Sequence, residues 1–360
     1  MTISVPAAPL LPAGPDSSDT AGDASWCAAE LPKVSRTFAL TIKLLPAQLR
    51  HEVGVAYLLC RIADTIEDTA DLPVPTKVDL LARFKASLDE GAPADPVVAA
   101  AFAVPRIDDE ALVRDHAAAL GCFHRLEAAA RADIRPWVAE MCDGMAGFAQ
   151  QYVRDPQRLT ALQTVDDLDR YCWFVAGTVG HLLTALFARQ LRLSPAQRQR
   201  LSASATGFGL GLQLTNIIKD VADDRARGWS FVPRALCAAH GTTPEAMNDP
   251  AQATANAAVM AALVTKARGH LDEALTYSLT LPRHAYRIRL FCLTPLFFAV
   301  RTLDLAARDP RLLDPTHKVK ITRTDVKRTV AVTHLVAPSN ALCRWYCATL
   351  MPLAHQPAKP

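Results

Sequence analysis

Two apolar runs of this chain lead into the same acidic pattern. Asp64-Thr-Ile-Glu67-Asp68 comes after Val55-Ala-Tyr-Leu-Leu-Cys-Arg-Ile-Ala63, and Asp220-Val-Ala-Asp223-Asp224 comes after Phe208-Gly-Leu-Gly-Leu-Gln-Leu214. On an α-helix, positions i, i+3 and i+4 share one face, so each patch aims three carboxylates the same way. Crowded like charges destabilise the helix that carries them unless something compensates. A divalent cation does so, and oxygen-only donors favour Mg²⁺, which keeps waters and bridges carboxylates to phosphate oxygens. Spacing alone is a weak signal. Acidic residues are 36 of 360, and such a pattern is expected roughly 0.4 times by chance in a chain of this length. Two solvated helix ends would explain it equally well. The apolar approach to each patch favours a ligand with an anionic head on metals at a mouth and a greasy tail between helices.

The rest of the chain suits that picture. From Ser25 onward runs of Ala, Leu and Arg dominate, without the long β-branched alternation of strands. Prolines 46, 73, 75, 93, 96, 105, 156, 195, 233, 244, 282, 310 and 315 fall between the runs, where helices stop or restart. The pattern predicts an all-α domain over 25–335, with helices over 47–69, 76–90, 109–130, 134–153, 166–189, 196–224, 253–280 and 284–307. Residues 1–24, with four prolines, read as a disordered tail, and 336–360 as a C-terminal tail. Val319-Lys320-Ile321 is the one strand-like scrap. Gly207, Gly209 and Gly211 crowd the middle of a long helix, which implies either a kink or the close approach of a neighbour.

Composition excludes several classes. With 39 Lys+Arg against 36 Asp+Glu the net charge is +3, and no basic block suggests a nucleic-acid partner. Nine scattered cysteines without a C-x-x-C pair imply reduced thiols rather than a zinc or disulfide framework. The ten histidines show no metal spacing. No basic n-region precedes an apolar run at the start, so a cytoplasmic protein is expected, at most peripheral to a membrane. Nothing indicates an oligomeric state.

Ser35-Arg36-Thr37-Phe38 and Tyr57-Leu-Leu-Cys-Arg61-Ile-Ala-Asp64-Thr-Ile-Glu67-Asp68 resemble the first signature of the squalene/phytoene synthases. Tyr171-Cys-Trp-Phe-Val-Ala176-Gly177-Thr-Val-Gly180 resembles their central segment. Gln213-Leu-Thr-Asn216-Ile-Ile-Lys219-Asp220-Val-Ala-Asp223-Asp224, followed by Gly228 and Phe231-Val-Pro233, resembles the second signature. Phe291-Cys292-Leu-Thr-Pro295 and His317-Lys318-Val-Lys320-Ile321 are similar to segments of the squalene branch. The resemblance covers about 30–330.

It implies an isoprenoid-synthase helical bundle around a central cavity and the head-to-head condensation of two farnesyl diphosphates. The expected course runs through presqualene diphosphate to squalene, with Mg²⁺ and NADPH. The non-reductive members of the family, which make presqualene diphosphate, dehydrosqualene or phytoene, are the alternative. A non-catalytic binding protein on the same fold is a third reading.

The resemblance assigns metal binding to Asp64, Glu67 and Asp68 and, on the facing helix, to Asn216, Asp220, Asp223 and Asp224. It gives diphosphate contacts to Arg36, Arg61 and Lys219. It puts Ser35, Phe38, Tyr57, Gln213, Asn216 and Phe291 around the prenyl substrate, and Tyr171 at the reacting centre, where its hydroxyl is the candidate for proton handling. Phe208 joins Phe38, Tyr57, Tyr171 and Phe291 as an aromatic face for a passing cation, plain core packing being the other explanation for each. Lys318, Lys320 and Arg323, with Lys327 and Arg328, form a basic cluster that would hold the NADPH phosphate or simply face solvent. One position departs from the family: Trp229 stands where it usually has Arg, so a diphosphate contact is missing unless Arg225 or Arg227 replaces it.

Overall fold

The computed structural model describes residues 19–151, 159–160 and 162–352. Among them there is no strand, and 76% of these described residues are helical. The helices are α1 (Asp19–Val34), α2 (Arg36–Ile42), α3 (Ala47–Asp68), α4 (Val74–Ala86), α5 (Pro96–Ala101), α6 (Asp108–Arg114), α7 (His116–His124), α8 (Ala128–Gln151) and α9 (Val165–Cys172). A π turn (Trp173–Gly177) links α9 to α10 (Thr178–Gln190). There follow α11 (Pro195–Ser202), α12 (Ala205–Ala226), α13 (Arg234–Ala239), α14 (Ala253–Thr280), α15 (Tyr286–Arg308), α16 (Arg323–Val336) and α17 (Asn340–Leu350). Helix α12 packs on α14, α10, α15 and the π turn, while α3 packs on α8, α4 and α10. Helix α10 thus touches both helices that end in an acidic patch.

The long apolar runs fold as expected over 47–68, 253–280 and 286–308. Three differences have local causes. The run 109–130 is broken at Asp115 (φ −93°, ψ 19°), which ends α6 and precedes α7. The run 196–224 breaks at Ser204 (φ −116°, ψ 7°), so α11 and α12 are separate. Helix α8 starts at Ala128 and carries Pro136 inside it. A mid-helix proline costs about 3 kcal/mol, and α8 retains it because Ala130, Ile134, Val138 and Met141 stay on one fully buried face. Pro32 and Pro295 also lie inside helices.

Both boundaries of the expected domain move outward. Helix α1 already includes Asp19 to Ala24, and Asp23 is buried, accepting hydrogen bonds from Arg125 (2.6 Å at Nε). Residues 1–18 of the expected N-terminal tail lie outside the described residues. The expected C-terminal tail contains α17, which folds back on α15 through Tyr346 and Phe297, ring centroids 5.0 Å apart. The buried Arg289 holds the corner before it, donating to Ala337 O (2.8 Å) and Asn340 Oδ1 (2.8 Å). Residues 353–360 are outside the described set. The segment 319–321 has no regular secondary structure and forms no strand. All nine cysteines are free. Two helical stretches, Val165–Gln190 and Tyr286–Arg308, are long and apolar enough to cross a bilayer, but 61% and 78% of their apolar windows is buried in the bundle.

The glycine cluster of α12 marks close approach. A Cβ at Gly209 would collide with the backbone carbonyl of Ala176 in the π turn, and one at Gly207 with Glu273 of α14. We expect Gly209→Ala to cost about 1–3 kcal/mol by overpacking. Gly269→Ala, on a part of α14 where the added carbon meets nothing within 4 Å, should gain about 0.5–1 kcal/mol from helix propensity. Denaturant titration of both variants checks the contrast; equal effects would remove the close-approach explanation.

Candidate active site

A cavity of about 200 Å³ opens between α3, α12, the π turn and α10. Of the residues singled out from the sequence, Phe38, Tyr57, Arg61, Asp64, Phe208, Gln213, Asn216 and Phe291 line it, together with Val175, Ala176, Leu183 and Leu212. The polar members, Arg61, Asp64, Gln213 and Asn216, come from the later turns of α3 and α12, and the remaining wall is almost wholly apolar. Ligand sites usually enclose ~300–1,000 Å³, so two long apolar chains need the helices to part or the mouth to take the second.

The mouth is electrostatically crowded. Burial, then the charge of Asp68, pushes the Asp64 carboxyl up to about 7, against the pull of Arg61. Asp224 is pushed up to about 6 by burial, with Asp220 and Asp68 adding to it and Arg227 opposing. Asp68 therefore acts on both patches, which places the two helix ends close together. Four cations answer these carboxylates. Arg61 donates from Nη1 to Asp64 Oδ2 (2.8 Å) and from Nη2 to the Tyr57 hydroxyl (2.9 Å). Lys219 pairs with Asp220 and Arg227 with Asp224. Lys318 pairs with Asp223 (2.8 Å).

Several expected residues are placed differently from their expected role. The Ser35 hydroxyl accepts from Phe38 N (3.1 Å) and caps α2, so its observed task is to start the helix that carries Phe38. Arg36 begins α2, but its side chain is outside the described residues. Lys318 lies on the second acidic patch rather than apart in a basic cluster. Lys320, on the other side of the buried Val319, is exposed, and Arg323 opens α16 on the surface. Tyr171 does not line the cavity. It is buried between Phe231 (4.8 Å, stacked) and Phe148 (4.8 Å). Burial, then the charges of Glu67, Asp68 and Asp64, drives its phenol well above the usual range. The hydroxyl is therefore held protonated, a donor rather than a base.

Trp229 follows Gly228, whose φ of +77° closes the turn after α12. Its ring is 7% exposed and packs edge-on against Phe231 at 6.0 Å. An arginine there would bury its charge among aromatic rings unless the turn rearranged. Arg225 is committed elsewhere, donating to Pro244 O (2.5 Å) and to Glu245 O. Arg227, 72% exposed at its side chain and paired with Asp224, is the guanidinium left beside the second patch.

Three features were missed from the sequence. Asp109, in the first turn of α6, lies 3.6 Å from Arg61 Nε, and both of these buried atoms lack a hydrogen-bond partner. The run Asp108-Asp109-Glu110 reads only as a helix start. The π turn gives no sequence signal beyond the small residues Ala176 and Gly177. Lys318 carries a pairing across 95 residues that no local pattern encodes.

Among the described residues no three Asp, Glu, His or Cys groups converge closely enough to hold an ion unaided. Mg²⁺ commonly binds through one or two carboxylates plus phosphate oxygens and water. An all-oxygen donor set on two facing helix ends, with two carboxyls crowded toward protonation, fits an ion that arrives with its anion.

The raised Asp64 has a stability consequence. The folded state keeps this proton up to about pH 7, whereas an unfolded chain releases it near 4. Stability therefore falls as pH rises through that window, and the penalty is complete above it. We expect Asp64→Asn to raise Tm of the ligand-free protein at about pH 8 and to leave it unchanged at about pH 4. A variant less stable than the parent at the higher pH would mean that the pair with Arg61 outweighs the crowding.

Residues 31–325 match the family model described as squalene/phytoene synthase. The chain is 33% identical over 315 residues to a squalene synthase of Eremothecium gossypii, covering 87% of this chain and 68% of that one. It is 32% identical over 304 residues to the squalene synthase of Saccharomyces cerevisiae, covering 82% and 64% respectively. The chain thus spans about two thirds of the length of these relatives. Among solved structures it is similar to TcSQS in complex with a ligand, at 27% identity and a TM-score of 0.77, over 92% of this chain and 93% of that one.

Proposed function

The chain belongs to the squalene/phytoene synthase family, and on that premise we propose that it joins two farnesyl diphosphates head to head and carries the product on to squalene. The observation that carries this reading is an apolar cavity whose mouth lies between two carboxylate-bearing helix ends.

Asp64, Glu67 and Asp68 on one side, and Asn216, Asp220, Asp223 and Asp224 on the other, are the proposed ligands of Mg²⁺. When bound with the substrate, Mg²⁺ neutralises the charge that develops on the leaving diphosphate. Arg61, already oriented by Tyr57 and Asp64, would donate to diphosphate oxygens, as would Lys219 and Arg227 beside the second patch. The allylic C–O bond breaks, and the diphosphate leaves with the bonding pair. The cavity wall keeps water from the cation. Tyr57 and Phe38, ring centroids 5.5 Å apart, offer it π faces.

The double bond of the second farnesyl diphosphate attacks and a proton is lost, giving the cyclopropane presqualene diphosphate. Loss of the second diphosphate, rearrangement and hydride capture yield squalene. Lys318, beside Asp223 at the mouth, and the exposed Lys320 two residues on would hold the phosphate of NADPH, which would supply that hydride. Tyr171, protonated and buried beside the first patch, acts as a positioning hydroxyl. A hydrocarbon product suits a cytoplasmic enzyme at the periphery of a membrane.

Product analysis tests the proposal. Purified protein given farnesyl diphosphate and Mg²⁺ should release squalene only when NADPH is added. Presqualene diphosphate or a desaturated C30 product regardless of NADPH would assign the non-reductive branch. A C40 product formed only from geranylgeranyl diphosphate would assign phytoene synthesis. Asp64→Asn and Asp220→Asn should each lower turnover at least about a hundredfold with an unchanged helical CD spectrum. Arg227→Gln should weaken inhibition by free diphosphate about tenfold; an unchanged inhibition constant would show that no cation has replaced the arginine missing at 229.

A further inference from the structure

One end of the molecule combines exposed apolar side chains with uncompensated positive charge. The segments 31–51, 274–303 and 326–352 contain no Asp or Glu. The structure ties them together: Arg287 Nε donates to Leu44 O (2.6 Å), and the Tyr286 hydroxyl donates to His334 O (3.0 Å). Arg289 bonds Ala337 and Asn340, and Asn340 Nδ2 donates to Leu279 O (3.3 Å). The end of α2, the α14–α15 turn and the α16–α17 corner therefore form one surface. The carboxylates that border the first segment are occupied: Glu30 pairs with Lys33, and the buried Glu52 with Arg189.

On this surface Leu335 is 75% exposed, Trp345 61%, Leu342 47% and Leu40 44%. These are four of the seven large apolar side chains exposed among the described residues. Leu342 and Trp345 stand three residues apart on α17 and share a face. The opposite face of α17 is already packed through Cys343, Tyr346 and Cys347, so the outer apolar face serves no purpose within the domain. Lys43, Arg283, Arg287 and Arg344 are exposed around it.

We propose that this end docks on an anionic lipid bilayer. Trp345, Leu335 and Leu342 enter the headgroup region, and Lys43, Arg283 and Arg344 pair with lipid phosphates. Charge favours lipid over a second copy of the chain: an isologous dimer through this surface would bring the same unpaired cations face to face. The orientation also follows. Helix α3 starts beside this surface and ends in the first acidic patch, 22 residues away, roughly 33 Å at 1.5 Å per residue. The acidic mouth is thereby kept away from the anionic lipid. Ile42 and Phe291, which line the cavity, belong to two of the helix ends that reach the bilayer. The inference rests on the surface and stands independently of the reaction proposed above.

Vesicle co-sedimentation of the full chain is the test. The protein should sediment with vesicles of phosphatidylcholine and phosphatidylglycerol in equal parts, bind phosphatidylcholine alone much less, and be released by salt. Leu335→Ser combined with Trp345→Ser should weaken binding on the order of tenfold or more, and Lys43→Gln and Arg344→Gln about fivefold each. All four side chains are exposed, so the CD spectrum and Tm of the variants should match the parent. Failure of the parent to bind the mixed vesicles would overturn the proposal, as would equal binding by parent and Leu335→Ser/Trp345→Ser. So would a dimer in sedimentation velocity that Trp345→Ser dissolves without any vesicle binding, which would make the surface a contact between copies.

Discussion

The carbonyl of Ala176 occupies the space that a side chain at position 209 would need. On that contact the site depends. Helix α12 comes within backbone distance of the π turn only because Gly209 carries no Cβ. A Cβ at Gly180 in α10 would likewise meet the carbonyl of Ala205, where α12 begins. The π turn in turn lets Val175 and Ala176 face the cavity while Tyr171, just before it, faces the first acidic patch. A regular helix through Trp173–Gly177 would rotate one set of side chains away from the other. Extra helical residues of this kind recur at functional sites for that reason. The Gly-rich stretch that would weaken an isolated helix is therefore what sets α12, and with it Gln213, Asn216 and Asp220, across from α3.

Electrostatics then leaves the mouth crowded in the free protein. Six carboxylates sit on the two helix ends, and four cations pair with Asp64, Asp220, Asp223 and Asp224. Those pairs hold the mouth together in the free protein, yet burial and crowding still push Asp64 and Asp224 toward protonation. In the proposed reading these carboxylates would hold Mg²⁺, and the cations paired with them would be freed for the diphosphate. Hydrogen bonds between ionised partners are about twice as strong as neutral ones, so the exchange replaces one set of charged contacts with another and leaves few groups unpaired. Arg61 is least free to move, because Tyr57, Asp64 and Asp109 surround it on three sides.

Much of this architecture is legible in the chain. Apolar runs bounded by prolines give α3, α14 and α15 closely, because those helices are long and bury one continuous face. Pro136 and Pro295 fall inside runs read as helices and lie inside α8 and α15, where packing of a buried face outweighs the lost backbone bond. The proline punctuation is silent at Asp115 and Ser204, where the chain turns without a breaker. At the site, the carboxylates are recognisable because they lie on single helices at helical spacing, whereas Arg61, Gln213 and Asn216 stand out only through the resemblance of the segments that carry them to the family's signatures. Asp109, the π turn and the Lys318–Asp223 pair depend on which helices meet, and tertiary contact is not written in any local pattern. The same holds for Trp229, whose chemistry marked it as a departure while only its burial shows what it does.

Trp229 completes a line of rings with Phe231, Tyr171 and Phe148, each centroid 4.8–6.0 Å from the next. This line backs the first patch from the side of the loop that follows α12. A tryptophan in it contributes apolar area and ring-edge packing that an arginine could match only by turning its head to the mouth. In the proposed reading the exposed Arg227, two residues earlier, would make the diphosphate contact that Trp229 cannot. The Trp229 ring packs edge-on against Phe231 behind Tyr171, and Arg227 sits at the solvent edge of Asp224. Burial of Trp229 among these rings and the pairing of Arg227 with Asp224 together make a departure at this position compatible with two complete acidic patches.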